Sequence, residues 1–296
     1  MPRTSDEAEI AQIGAPAHRR VGPIRHRGGV SFTMHRPQIV ATPLTAAVGA
    51  IGVLVAVTLV ALHTGAGQRL DERARLAVVA GRDAEVTVLS VLGRVSIGAV
   101  LAVSVVCVVL AIMRGRVRLA AAALMVIAGA NVTTQVLKEV LLERSALDVI
   151  APNSLPSGHT TVVASAVGAL LLVTPRALRL FLVVAGGFAV AITGASTIVA
   201  GWHRPADIVA ALAVCLVWTA LGSMVVGGSH RATPGVVIGS LAGSAGALVL
   251  LVAIGVRPAY GWSGFFEATV VLSAMAFATA LAVGAMERIS PTTRQP

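Results

Sequence analysis

Three short stretches of this chain carry residues able to do chemistry. "STIVAGWHRPAD" places His203 and Asp207 four residues apart, so they share one face of a helix. A carboxylate there accepts the proton of one imidazole nitrogen, fixes the tautomer and leaves the other nitrogen as a nucleophile. Pro205 suits the first turn of a helix, so the pair sits at a helix N-terminus, where phosphate is also favoured. "NSLPSGHTT" brings Ser157, Gly158 and His159 to the start of another apolar run. Glycine lets backbone amides approach a ligand closely, and Ser157 with the amides after it can donate to anionic oxygens. His159 is then a proton donor to a leaving group, facing His203 across a small pocket. "LKEVLLER" adds the cations Lys138 and Arg144. Two imidazoles, a carboxylate, two cations and a helix start suit phosphoryl transfer through a phosphohistidine. Two His and one Asp are also a conceivable zinc set. Two cations beside them disfavour a dication, so neither metal nor cofactor is expected.

The elements that must position these residues are membrane spans. The chain has 296 residues, a mean hydropathy of +0.87 and 12% charged residues. Soluble domains carry about 25% charged residues. Apolar segments at 41–63, 86–113, 117–140, 159–175, 178–201, 205–227, 234–256 and 264–286 give eight candidate spans. Several exceed the ~20 residues a helix needs to cross a bilayer. Nothing resembles the ~10-residue alternating strands of a barrel, so the expected class is an all-α polytopic membrane protein. The net charge of +10 lies in short runs between spans. That is the pattern of membrane topology and not of a nucleic-acid partner. Lys138 is the one lysine among the 23 cations. Cys107 and Cys215 fall inside apolar runs and read as buried small residues.

Residues 1–39 read as a disordered basic cytoplasmic tail, and 288–296 as a second cytoplasmic tail. The charged segment 66–85, between the first two spans, reads as a short amphipathic helix on the membrane surface. Arg114, Arg116, Arg118, Arg176, Arg179 and Arg231 fall in acid-poor loops on one side. The positive-inside rule puts those loops and both termini in the cytoplasm, and all three chemical clusters outside. Gly235, Gly239, Gly243 and Gly246 line up at helical spacing on the seventh span, as close helix packing requires.

Taken together, the clusters resemble the type-2 phosphatidic acid phosphatase (PAP2) superfamily. "PSGH" at 156–159 is intact, and Ser196, His203 and Asp207 keep the spacing of the third family motif. The resemblance implies a six-span PAP2-like core over 40–227, with two additional C-terminal transmembrane helices over 228–287. It implies His203 as nucleophile, Asp207 as its orienting carboxylate and His159 as acid. Lys138, Arg144, Ser157 and Gly158 hold the phosphate, and no metal is needed. The implied activity is hydrolysis of a lipid phosphomonoester or pyrophosphate at the outer leaflet of the plasma membrane. The substrate is a lipid phosphate of the phosphatidate or polyprenyl pyrophosphate type.

Two departures stand out. Arg144 follows Lys138 after five residues instead of the commoner six, and Ser145 replaces a proline. Thr197 stands where the family has an arginine. That arginine clamps phosphate bidentately, and its loss corresponds to about 10²–10³ in rate. Arg204 and Arg94 are candidates to replace it. Another reading is a catalytically weakened relative that binds or transports a lipid phosphate. A vanadate-dependent halide oxidase shares the phosphate-site pattern, but such relatives are soluble.

Overall fold

Backbone polar groups have no water to bond in hydrocarbon, so apolar runs of this length fold as helices. The computed structural model describes residues 43–94, 97–143, 153–227 and 233–291, all within one unit. Each of the eight apolar segments contains a helix. In chain order the helices are α1 (Pro43–His63), α2 (Gly65–Leu76), α3 (Arg82–Arg94), α4 (Ile97–Ile112) and α5 (Val117–Val136). A π-helical turn, Leu137–Leu141, extends α5. Then come α6 (Gly158–Val173), α7 (Arg176–Val199), α8 (Pro205–Val226), α9 (Val236–Ala253) and α10 (Phe265–Ile289). Six of the apolar helices are long enough to cross a membrane by length and composition. The other two, α4 and α6, have 16 residues each. That is roughly 24 Å of rise against about 30 Å of hydrocarbon.

The surface segment folds as expected into a short helix, α2, capped by Thr64, whose hydroxyl accepts from the Gly67 amide at 3.1 Å. A strand then follows that the sequence did not suggest. Val78–Ala80 (β1) pairs antiparallel with Val256–Pro258 (β2), with Val79 opposite Arg257. Seven helices, α3 to α9, separate the two strands, and α3 and α4 follow one another within one apolar segment. The strands can meet only if an even number of spans crosses between them, so the parity requires the α3–α4 segment and α6 to cross together or not at all. With both crossing, the C-terminal end of α5, the start of α6 and the α7–α8 turn share the ribbon face. Trp202, Tyr260, Trp262 and Phe265 are exposed there, as aromatic side chains are at a membrane boundary.

Helix α8 packs against α1, α5, α6 and α10, and α7 against α6, α9 and α10. Ala, Gly, Ser and Thr share the interior with Leu, Val and Ile such as Leu119, Leu171, Val183, Val190 and Ile208, and Leu44, Val48, Ile51, Val55 and Leu59 of α1 face outward. Small residues let helices approach closely, and apolar side chains on the outer faces suit lipid. The final helix pair is not peripheral. A Cβ on Gly243 of α9 would lie 2.1 Å from the Val184 carbonyl oxygen of α7, and one on Gly239 would lie 2.9 Å from a Leu180 methyl. The glycine stripe therefore does pack closely, although Gly235 caps the helix instead, with φ 79°. Cys107 and Cys215 are buried and unpaired.

At the opposite face Arg179 and Glu287 are both fully buried. Arg179 donates to the carbonyls of Ser290 and Pro291, at 3.0 and 2.5 Å. Glu287 accepts from the Thr233 amide at 3.2 Å and from the Thr233 hydroxyl. Arg179 is thus an internal tie and not a free loop cation.

Candidate active site

The chain reaches the site through a tight turn between α7 and α8. Gly201 sits there at φ 73°, a left-handed conformation that a Cβ would strain. The Thr197 carbonyl closes the turn, accepting from the amides of Trp202 and His203 at 3.0 and 3.2 Å. Pro205 then opens α8, with Arg204 as N-cap. His203 and Asp207 come together, but not as two positions on one helix face: His203 precedes the Arg204 N-cap, and Asp207, in the first turn of α8, folds back to meet it. His203 Nδ1 lies 3.1 Å from Asp207 Oδ2, and both residues are buried. The same oxygen accepts from the Arg204 amide at 2.9 Å and the Ser154 hydroxyl at 2.6 Å. A carboxylate that only accepts makes Nδ1 the donor and leaves the Nε2 lone pair for attack.

"NSLPSGH" is stitched to both neighbouring helices. The Asn153 amide group donates to the Leu142 carbonyl at 2.8 Å and to the Lys138 carbonyl at 3.4 Å, which closes the end of the π turn. The Ser157 amide donates to the Asp207 carbonyl at 2.9 Å. Ser157 is the N-cap of α6, and its buried hydroxyl accepts from the Thr160 hydroxyl at 3.1 Å. Space is open around Gly158, where an added Cβ would meet no heavy atom within 4 Å. Glycine there answers no packing demand. The His159 ring centroid lies 6.5 Å from that of His203 and 5.5 Å from that of Trp202. Lys138 is near enough for its charge to reach His159. Lys138, Ser157, Gly158, His159, His203 and Asp207 are therefore gathered at one end of the bundle.

The other expected cations differ. Arg204 is buried, and its Nε donates to Glu72 of α2 at 2.8 Å. Arg144 and the side chain of Arg94 lie outside the described residues. Thr197 is fully buried, and its hydroxyl donates to the Gly194 carbonyl at 2.7 Å. Its single proton is thereby used within its own helix and is not offered to a ligand.

Sequence reasoning missed the contribution of α2. Asp71 accepts from the Ala206 amide at 3.0 Å, so a carboxylate already occupies the N-terminus of α8. Glu72 holds Arg204 on one side and Arg75 on the other, the latter through Nε at 3.0 and 3.1 Å and through Nη2. The Arg75 hydrogen bond, with Arg204 adding to it, keeps the Glu72 carboxyl below the usual carboxylate range against the opposing effect of burial. Arg75 Nη1 also reaches the Gly201 carbonyl at 3.4 Å. The only sequence signal for this was the cluster of acids in "LDERAR", which reads equally well as a solvated helix face.

A model of the PAP2 superfamily matches residues 119–231, the region that holds all three clusters. No curated protein and no solved structure matches the chain.

Proposed function

We propose that this chain, whose residues 119–231 match a model of the PAP2 superfamily, is a metal-independent lipid phosphatase of that superfamily. Its substrate is a phosphomonoester or pyrophosphate of a membrane lipid, with the head group at the outer leaflet and both termini of the protein in the cytoplasm. The observation that carries the reading is the His203–Asp207 contact of 3.1 Å, with the His159 ring 6.5 Å from that of His203. His203 Nε2 attacks phosphorus while the bond to the leaving oxygen breaks, and that oxygen takes a proton from His159. Water then attacks the phosphohistidine and gives its proton to His159. The phosphorus–nitrogen bond breaks, phosphate departs and His203 is restored. Lys138, Ser157 and the Gly158 and His159 amides stabilise the equatorial oxygens. Family membership supports phosphatase-type chemistry, and the apolar helices around the site favour a substrate with a lipid tail.

The Thr197 hydroxyl, turned to Gly194, favours a second reading, a lipid-phosphate binder without turnover. One assay separates the two. Purified protein in detergent, with chelator, is given phosphatidate, phosphatidylglycerol phosphate and polyprenyl pyrophosphate beside a His203→Ala variant. Chelator-resistant phosphate release that vanishes in His203→Ala supports the phosphatase. Binding of these lipids without release, in protein that melts cooperatively, supports the binder.

A further inference from the structure

We propose that the cavity beside the ribbon is a phospholipid site, built for a head group that carries both a phosphodiester and an ammonium, as phosphatidylethanolamine does. A cavity of about 550 Å³ opens between the start of α3, the end of α9, the start of α10 and the two strands. Small-molecule sites run to ~300–1,000 Å³, so a head group and the upper part of a chain have room. Its wall on α10 is Phe265, Thr269 and Leu272, which lie at i, i+4 and i+7 and share one helix face. From Phe265, exposed at the membrane boundary, that face runs roughly 10 Å along the helix into the hydrocarbon. Val252 of α9 adds to the apolar side. Gly81 leaves the mouth open, since a Cβ added there would meet no heavy atom within 4 Å.

Three charged residues line the same cavity: Arg82 and Asp83 from the start of α3, and Arg257 from β2. All three are exposed. Among the described residues none of their side chains has an ion-pair or hydrogen-bond partner. Two unpartnered guanidiniums beside an apolar slot suit a lipid phosphate, which arginine grips through parallel N–H groups. The charge around them decides which lipid. Glu85 joins Asp83 in the first turn of α3, and Glu267 stands in the first turn of α10. Three carboxylates against two guanidiniums leave no positive surplus, so a net-anionic lipid gains nothing from the mouth as a whole. A zwitterion gains from both signs: its phosphate meets the arginines and its ammonium donates to Asp83. A primary ammonium has the N–H groups for that bond, and a choline head does not. The elements that form this cavity carry neither His159 nor His203. A phosphodiester lipid is also no substrate for the hydrolysis proposed above, so the inference stands apart from that reading.

The test uses delipidated full-length protein in detergent, titrated with phosphatidylethanolamine, phosphatidylcholine and phosphatidylglycerol. Bound lipid is counted by native mass spectrometry. The variants are Arg82→Ala with Arg257→Ala, Asp83→Asn, and Thr269→Trp, all at exposed positions. Wild type should hold one phosphatidylethanolamine more tightly than either other lipid. The double arginine variant should bind it at least about tenfold more weakly. Asp83→Asn should remove the preference for phosphatidylethanolamine over phosphatidylcholine. Thr269→Trp, which sets an indole in the slot, should block binding while the protein still melts cooperatively. Unchanged phosphatidylethanolamine affinity in a folded double variant overturns the proposal. So does tighter binding of phosphatidylglycerol than of phosphatidylethanolamine by wild type. If the double variant does not fold, Thr269→Trp decides alone: loss of the bound lipid supports the site, and its retention overturns it.

Discussion

One oxygen of Asp207 collects the Nδ1 of His203, the hydroxyl of Ser154 and the amide of Arg204. Three donors on one buried carboxylate oxygen hold it in place, and through it they hold the imidazole. Asp207→Asn would replace an acceptor with a group able to donate, and the wrong tautomer of His203 would follow. Phosphate release should fall by about 10²–10⁴ with little change in KM. Thr197→Val removes a hydroxyl bonded only within its helix and tests the claim that Thr197 is no ligand. The expected cost is about 1 kcal/mol in stability, with turnover unchanged. Residues carrying recognisable chemistry at fixed spacing were legible from sequence alone: His159, His203, Asp207, Ser157, Gly158 and Lys138. Ser154 and Asn153 were not, because a serine or asparagine ahead of a helix serves equally as a turn residue.

Elements position the site through two contacts made at a distance in sequence. The first is α2 on the start of α8, which depends on Glu72 being ionised. Its folded-state acidity is stronger than that of a free glutamate, so its contribution is full above the free value, ~4.3. The contribution is lost as pH falls through the lower folded value. The melting temperature should therefore drop as pH goes below about 4, and Glu72→Gln should flatten that drop while lowering stability at neutral pH. The second contact is α9 on α7. Gly243→Leu would drive a side chain into the Val184 backbone, and a loss of about 1–3 kcal/mol is expected, read as a lower melting temperature in detergent. The existence of the eight apolar helices was legible, since hydropathy alone dictates it. The glycine stripe was legible as a packing face. The partner of that face was not, because nothing in a helical repeat says which neighbour it meets.

The whole molecule is tied at both faces. At the ribbon face β1 and β2 join the surface segment after the first span to the loop before the last. At the opposite face the buried Arg179–Glu287 contact, 3.9 Å between charged atoms, joins the start of α7 to the end of α10. The last two helices pack against α7 and α8, so they belong to the bundle that carries the site residues. A chain ending after residue 233 should still insert its earlier helices. Its α2 segment should become sensitive to protease, and its phosphate release should fall, relative to the full chain. The ribbon also has a consequence for the order of synthesis. The motif-bearing helices leave the ribosome before β2 exists, and the Ala77 carbonyl that follows α2 waits for the amide of Ala259. The helix that carries Glu72, already held to α8 through Asp71 and Glu72, gains this last tie only when β2 arrives. A nascent chain with every motif already in the membrane therefore still lacks the strand that pairs with β1.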